Sequence, residues 1–283
     1  MVMLPPNVVL EPLFREWLRE DIGRGDRATG AITASNNPVQ EAVWLSKQAG
    51  VIAGLPFAEK IFNLLGEIHW QPQVTEGSFC ENQVKLLRCR ACTDTLLTGE
   101  RVALNLVMHL SGIATLTHHY AEKIADLPTQ LVDTRKTTPG LRLLEKYATQ
   151  VGGATNHRFG LDDAAMIKEN HIQAAGGITS AIAQLRSNLP YPLTIEVETT
   201  NATEVEEAIA SNVDIIMLDN MALPLIREMV DLIKKKNSAI KVEASGNINL
   251  NTIREIAETG VDYISTSAPI TQASWLDLSM MLV

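Results

Sequence analysis

Six short stretches of this chain end in side chains able to do chemistry. LVDTRKT ends in Asp133, Arg135 and Lys136, and MIKENH carries Lys168, Glu169, Asn170 and His171. LTIEVE carries Glu196 and Glu198, and DIIMLDN ends in Asp219 and Asn220. IKVEASGN ends in Glu243, Ser245, Gly246 and Asn247, and DYISTSA ends in Ser265, Thr266 and Ser267. One strand with a charged end means little, but six in succession predict a shared site rather than solvated loops. Cations concentrate between 135 and 171: Arg135, Lys136, His157, Arg158, Lys168 and His171. An arginine fork donates two parallel hydrogen bonds to a carboxylate or phosphate. Several such groups aimed at one place repel one another, so the ligand they predict carries more than one negative group. The competing reading, surface ion pairs with Asp162, Asp163 and Glu169, serves equally well for Arg142 and Lys146, which sit on a helix.

The acidic side of the site comes from Glu198 and Asp219. Carboxylates at neighbouring strand ends can hold a magnesium ion through water, or accept hydrogen bonds from ribose hydroxyls. The turns ASGN (244–247) and STSA (265–268) are small and rich in hydroxyls. Backbone N–H groups in such turns bind phosphate, and the last two strands of a β/α barrel are the usual place for it. A cationic pocket, a diacid and a phosphate cup describe an enzyme that joins an anionic ring to a phosphorylated sugar. No cysteine or serine beside a base suggests covalent catalysis. Lys168 keeps a Schiff-base lyase open, because a buried lysine can form an imine. A sensor that binds a phosphorylated metabolite without turnover is the non-catalytic alternative.

The elements that must position these groups follow a regular rhythm. Apolar or β-branched runs begin near Gln130, Ala165, Leu193, Asp214, Ile240 and Asp262. Helical patterns separate them at 139–150, 177–188, 201–211, 223–236 and 249–259. Asn201 and Asn249 suit N-caps, Pro139 and Pro224 suit first turns, and Gly260 suits a C-terminal stop. Alternating strand and helix predicts parallel β/α units, and convergent polar ends favour a barrel over an open sheet. Residues 1 to about 110 read as α+β, with the polar stretch EDIGRGDRATG (20–30), strands near 39–46, 68–74 and 82–91, and a helix at 56–66. A long helix starts near Thr98, and Ser111-Gly112 within it allows a bend or close packing.

Composition sets bounds on all of this. The chain has 283 residues, 46% of them hydrophobic, enough for a sizeable core and against disorder. Twenty-four Lys and Arg against 33 Asp and Glu give a net charge of −9, and aromatics are only 5%, so nucleic acid is not an expected partner. The N-terminal stretch is not a signal peptide, and no apolar run is long enough to span a membrane, so a cytoplasmic enzyme without membrane partners is expected. Three cysteines are too few for a disulfide scaffold, and the Cys89/Cys92 pair reads as small, partly buried side chains rather than zinc ligands.

At DTRKTTPGLRLLEKYATQVGGATNHRFGLDDAAMIKENHI (133–172) the chain closely resembles quinolinate phosphoribosyltransferases. EDIGRGDRAT, GERVALN, LSGIAT, IEVE, MLDN, EASGNI and GVDYIS extend the likeness over nearly the whole length. The resemblance implies an N-terminal α+β sandwich-like domain joined to an incomplete β/α (TIM-like) barrel. The expected division is 1–112, 113–268 and a tail, 269–283, packing back on the N-terminal domain. It implies transfer of phosphoribose from phosphoribosyl pyrophosphate to quinolinate with decarboxylation, Mg2+ as cofactor, and a homodimer or oligomer of dimers with shared active sites. By the same resemblance Arg135, His157, Arg158 and Lys168 grip the quinolinate carboxylates and Lys136 lies beside substrate. Arg101 reaches into the partner's site, and Glu198 and Asp219 serve ribose and metal. Lys136, Lys168, Glu198 and Asp219 form the implied catalytic set. Ser245, Gly246 and Asn247, with Ser265 and Ser267, match the 5′-phosphate loops. The chain departs from the pattern at Asn247, where a second glycine is usual, and at Ser267, Gln272 and Ala273, where Gly, His and Ser are usual. These departures keep open a molybdenum-transport-associated paralogue with another acceptor.

Overall fold

The computed structural model describes residues 2–283. In chain order the first elements are α1 (Asn7–Ile22), α2 (Arg27–Thr33), β1 (Val39–Ser46), β2 (Gly50–Val51), α3 (Leu55–Asn63), β3 (His69–Pro72), β4 (Phe79–Cys80), β5 (Lys85–Cys92) and α4 (Thr93–Glu122). They are followed by β6 (Gln130–Val132), α5 (Arg142–Val151), β7 (Ala165–Ile167), α6 (Glu169–Ala175), α7 (Ile178–Asn188), β8 (Ile195–Thr199) and α8 (Ala202–Ala210). The last are β9 (Ile215–Asp219), α9 (Leu223–Lys236), β10 (Lys241–Ser245), α10 (Ile253–Ala257), β11 (Tyr263–Ser265), α11 (Ala268–Thr271) and β12 (Leu278–Leu282). Contacts divide these residues into two units, one holding the chain up to His118 with Leu143–Gly152 and Gln272–Val283, the other His119–Arg142 and Gly153–Thr271.

The first unit carries an antiparallel sheet in the order β12-β1-β5-β3. Trp44 on β1 is fully buried, with the rings of Phe62 and Trp70 about 6 Å away, and this aromatic cluster anchors α3 to the sheet. Cys89 is buried on β5, its thiol pushed up to about 12 by burial, as suits an inert core cysteine. Two features differ from the expected pattern. The polar stretch 20–30 hides the start of α2, where the Asp26 side chain accepts the Thr29 N–H at 2.9 Å and caps the helix. Helix α4 begins at Thr93, five residues earlier than its apolar pattern suggests. At Ser111-Gly112 close packing is the outcome. Ser111 Oγ takes the Ala53 N–H at 2.9 Å, and a Cβ on Gly112 would fall 2.0 Å from the Ser274 carbonyl oxygen.

The second unit is the β/α barrel. Its six strands are parallel, in the order β6-β11-β10-β9-β8-β7. Consecutive strands are neighbours and the last pairs back with the first, which is the closure of a barrel. Closure stops between β6 and β7, where a single parallel bridge from Val132 to Thr155 takes the place of a strand pair. Register explains the residue pattern. Leu131, Ile195, Val197, Ile216, Leu218, Val242, Ala244 and Ile264 share one face and are at most 5% exposed. Helices α8, α9 and α10 pack against the strands they connect, covering this apolar face. The opposite face presents Glu196, Glu198, Asp219, Lys241, Glu243, Ser245, Tyr263 and Ser265, so the barrel interior is polar.

Helix boundaries correct three expectations. Glu169, Asn170 and His171 are not strand-end groups, because β7 stops at Ile167 and they open α6, with His171 Nδ1 accepting the Lys168 N–H at 3.1 Å. Pro139 stands in a turn before α5, since the helix begins only at Arg142. Asn249 closes a turn onto the Asn251 N–H rather than capping α10, which starts at Ile253. Asn201 does cap α8, accepting the Glu204 N–H at 3.0 Å, and Pro224 does lie in the first turn of α9.

Candidate active site

The strand ends of the second unit gather most of the candidate residues. Lys168 follows β7 directly, and its Nζ forms an ion pair with Glu198 Oε2 on β8. Asp219 closes β9 level with Ser245 on β10, which is level with Ser265 on β11. Asn220 links them: its Nδ2 donates to Asp219 Oδ2 at 2.7 Å, and its backbone N–H donates to the Ser245 carbonyl at 2.9 Å. Asn247 Nδ2 then donates to Asn220 Oδ1 at 3.0 Å. Gly246 takes a left-handed φ of 96°, and a Cβ there would lie 2.3 Å from Asn220 Oδ1. Asn247 has φ 53°, a conformation asparagine tolerates well, so its presence where a second glycine is usual keeps the turn. Ser265 Oγ is buried without a formed hydrogen bond, and the Ser267 carbonyl accepts the Ile270 and Thr271 N–H groups of α11.

The cations enter beside the gap in the barrel. Asp133, 2% exposed at the end of β6, accepts the His157 N–H at 2.9 Å through one oxygen and Asn156 Nδ2 at 2.7 Å through the other. This pins residues 156–157 against β6. Arg158 follows, with Nη1 donating to the Ala164 carbonyl at 2.8 Å. Burial first, and then the nearby Arg135 guanidinium, lower the Arg158 pKa, while Glu196 and Asp163 oppose the fall. The two half-buried guanidiniums are therefore near enough to repel each other, and the buried Arg135 Nε has no hydrogen-bond partner. Such a pair is an unsatisfied demand for an anion. Lys136 is exposed at the same strand end, with its N–H donated to Thr134 Oγ1. Arg142 serves locally, binding Thr137 and the Phe159 carbonyl. Arg101 lies in the first unit on α4, its side chain 59% exposed beside Glu100.

Beneath the strand ends lies a second layer, where Glu196 and Glu243, expected among the convergent strand-end groups, sit inside β8 and β10 and meet His157. Glu196 and Glu243 are each 2% exposed, and His157 Nε2 sits 3.2 Å from Glu196 Oε2 and 3.6 Å from Glu243 Oε2. Burial, and then the Glu196 carboxylate, push the Glu243 carboxyl up to about 7. Ser265 and Lys168 pull the other way, Ser265 too loosely for a formed hydrogen bond. A cavity of about 570 Å³ reaches this layer from the strand starts, lined by Thr194, Ile215, Lys241 and Tyr263 as well as by Arg158 and both glutamates. The signal was present: alternation in IEVE and KVEAS puts Glu196 on the face of Glu198, and Glu243 on that of Ser245.

Comparison with known proteins bears on this arrangement. Residues 26–111 match "Quinolinate phosphoribosyl transferase, N-terminal domain", and residues 113–281 match "Quinolinate phosphoribosyl transferase, C-terminal domain". The chain belongs to the quinolinate phosphoribosyltransferase family. It is 55% identical to a probable nicotinate-nucleotide pyrophosphorylase (carboxylating) of Synechocystis sp., over all of this chain and 96% of that one. A probable nicotinate-nucleotide pyrophosphorylase (carboxylating) of Bacillus subtilis is 39% identical over 97% of this chain and 93% of its own. Among solved structures, NadC from Streptococcus pyogenes superimposes with a TM-score of 0.94 at 40% identity, covering 99% of each chain. The nicotinate-nucleotide pyrophosphorylase of Francisella tularensis gives 0.94 at 36% identity, over 100% and 99% of the two chains. Quinolinate phosphoribosyltransferase membership thus spans both units, and the incomplete barrel is the family's fold.

Proposed function

We propose that this chain transfers the phosphoribosyl group of phosphoribosyl pyrophosphate to quinolinate, giving nicotinate mononucleotide, carbon dioxide and pyrophosphate in NAD biosynthesis. The observation that carries the reading is the unpartnered, buried Nε of Arg135 together with the half-buried Arg158 guanidinium, like charges near enough to repel, which a dianionic ring compensates. In this reading the guanidiniums and Lys168 grip the ring carboxylates, Lys136 stands beside them, and His157 supports the grip. The Ser245-Gly246-Asn247 turn and the Ser265–Ser267 turn take the sugar 5′-phosphate. Glu198 and Asp219 lie beneath the ribose, where a carboxylate stabilises the positive charge that grows on the sugar carbon as pyrophosphate leaves. The pyridine nitrogen needs no base, so positioning is most of the chemistry.

Glu198 and Asp219 stand on adjacent strands with their side chains on one face, and carboxylate oxygens are the hard donors that magnesium prefers. These two residues would hold Mg2+, which supplies charge neutralisation to the departing pyrophosphate. The Lys168 Nζ is engaged by Glu198 and about half exposed, not the isolated buried amine that a Schiff-base lyase needs. The exposed place of Arg101 on α4 leaves it available to a partner's site, and we infer a homodimer. Free cysteines, with no helix among the described residues long and apolar enough to cross a membrane, support a cytoplasmic location.

Incubating the pure protein with phosphoribosyl pyrophosphate, magnesium and either quinolinate or nicotinate tests the reading. Carbon dioxide and mononucleotide are expected with quinolinate only. Product from nicotinate, or none from quinolinate, would assign the fold to another acceptor.

A further inference from the structure

His157 is held from both sides. The Arg158 backbone N–H donates to its Nδ1 at 2.7 Å, and its Nε2 lies between the two buried glutamates. A backbone N–H is a donor at every pH, so Nδ1 must keep its lone pair, and a neutral ring must then carry its proton on Nε2. That nitrogen lies 3.2 Å from Glu196 Oε2. Strand β9, between β8 and β10, offers Ile215 and Met217 on the face of Glu196 and Glu243, so it brings no competing donor. Each glutamate also buries an Oε1 that has no hydrogen-bond partner.

The three side chains bring one ligand atom each within 4.8 Å of one another, the grouping that a divalent cation would need. The ring orientation opposes that use. A cation on Nε2 would take the remaining lone pair while Nδ1 accepts from Arg158, and the ring would have to be an imidazolate.

We propose that Glu196 and Glu243 are positioning residues, which fix His157 in its Nε2–H tautomer so that Nδ1 anchors the backbone of Arg158. Asp133 holds the same turn at the His157 N–H, and Ala164 receives the guanidinium, so the arginine is tied at both ends. The consequence for substrate rests on the proposed function: Arg158 is presented to a ring carboxylate at one place, and the glutamates touch no substrate.

The test has two separate readouts. Long-range proton–nitrogen correlation on the 15N-labelled apo protein, with the ring assigned through His157→Gln, should show a neutral ring protonated at Nε2. A ring protonated at Nδ1, alone or as an imidazolium, overturns the proposal, and this readout needs neither substrate nor a glutamate variant. In steady-state kinetics Glu196→Leu should raise KM for quinolinate about tenfold or more, the size expected for losing one buried hydrogen bond. Its kcat and its KM for phosphoribosyl pyrophosphate should change less, and Glu196→Gln, which keeps an acceptor, should restore most of the loss. An unchanged quinolinate KM in Glu196→Leu, or stoichiometric zinc or manganese bound by wild type and lost in that variant, overturns it. Absence of turnover in wild type with a normal ring spectrum would count against the proposed function and leave the tautomer standing.

Discussion

Asn247 Nδ2 donates to Asn220 Oδ1 across the ends of β10 and β9, and Asn220 passes the contact on to Asp219. The residue that departs from the family's double glycine is thereby tied to the carboxylate assigned to ribose and metal. Asn220→Ala removes both bonds and should raise KM for phosphoribosyl pyrophosphate about thirtyfold, at about 1 kcal/mol per bond. Asn247→Gly keeps the left-handed turn at no steric cost and should stay within about threefold of wild type. Equal losses in the two variants would mean that Asn220 does not position Asp219.

Gly246→Ala should be far worse than either. It needs φ 96° with a side chain, and the new Cβ would fall 2.3 Å from Asn220 Oδ1. Strain of about 1–3 kcal/mol is expected, with a lowered melting temperature and weakened phosphoribosyl pyrophosphate binding. An unaltered melting curve would show that Asn220 moves aside freely.

Arg135→Ala and Lys168→Ala should each reduce turnover at least about a hundredfold, near 3 kcal/mol, because each leaves an anionic substrate group unpaired. Near-normal activity in either variant would remove that residue from the site.

Glu243 shapes stability against pH. Its carboxyl rises from an ordinary 4.5 to about 7 in the folded protein, so the native state keeps a proton that the unfolded chain has released. The contribution is whole below pH 4.5 and is lost as pH climbs to about 7, a swing of about 3 kcal/mol. Glu243→Gln cannot ionise and should gain on wild type by about that amount between pH 4.5 and 8, in denaturant melts. A constant difference over the range would show that Glu243 is not protonated when folded.

Glu76 supplies a control within the first unit. Its carboxylate accepts the N–H groups of Gly54 and Leu55 and the hydroxyl of Tyr147, while burial raises its pKa. Glu76→Ala should lower stability by about 2–3 kcal/mol, with KM for quinolinate unaltered in the folded fraction. A change in that KM would give Glu76 a role beyond stability.

The parallel β/α rhythm was legible in the chain alone, because apolar residues at period two must be covered by amphipathic helices, and so were the strand ends, because Lys168, Glu198, Asp219 and Ser245 interrupt those runs. The chain also carried the family, through the block 133–172. Partnership came from the folded arrangement. Asp133 and Asn156 meet, as do Lys168 and Glu198, across 23 and 30 positions of chain. Glu196, Glu243 and His157 form one layer only because β8 and β10 flank β9 and the 155–157 segment fills the gap beside β6. Local periodicity assigns a side chain to a face, but strand order and register choose its neighbours, and the neighbours set the proton, the charge and the role.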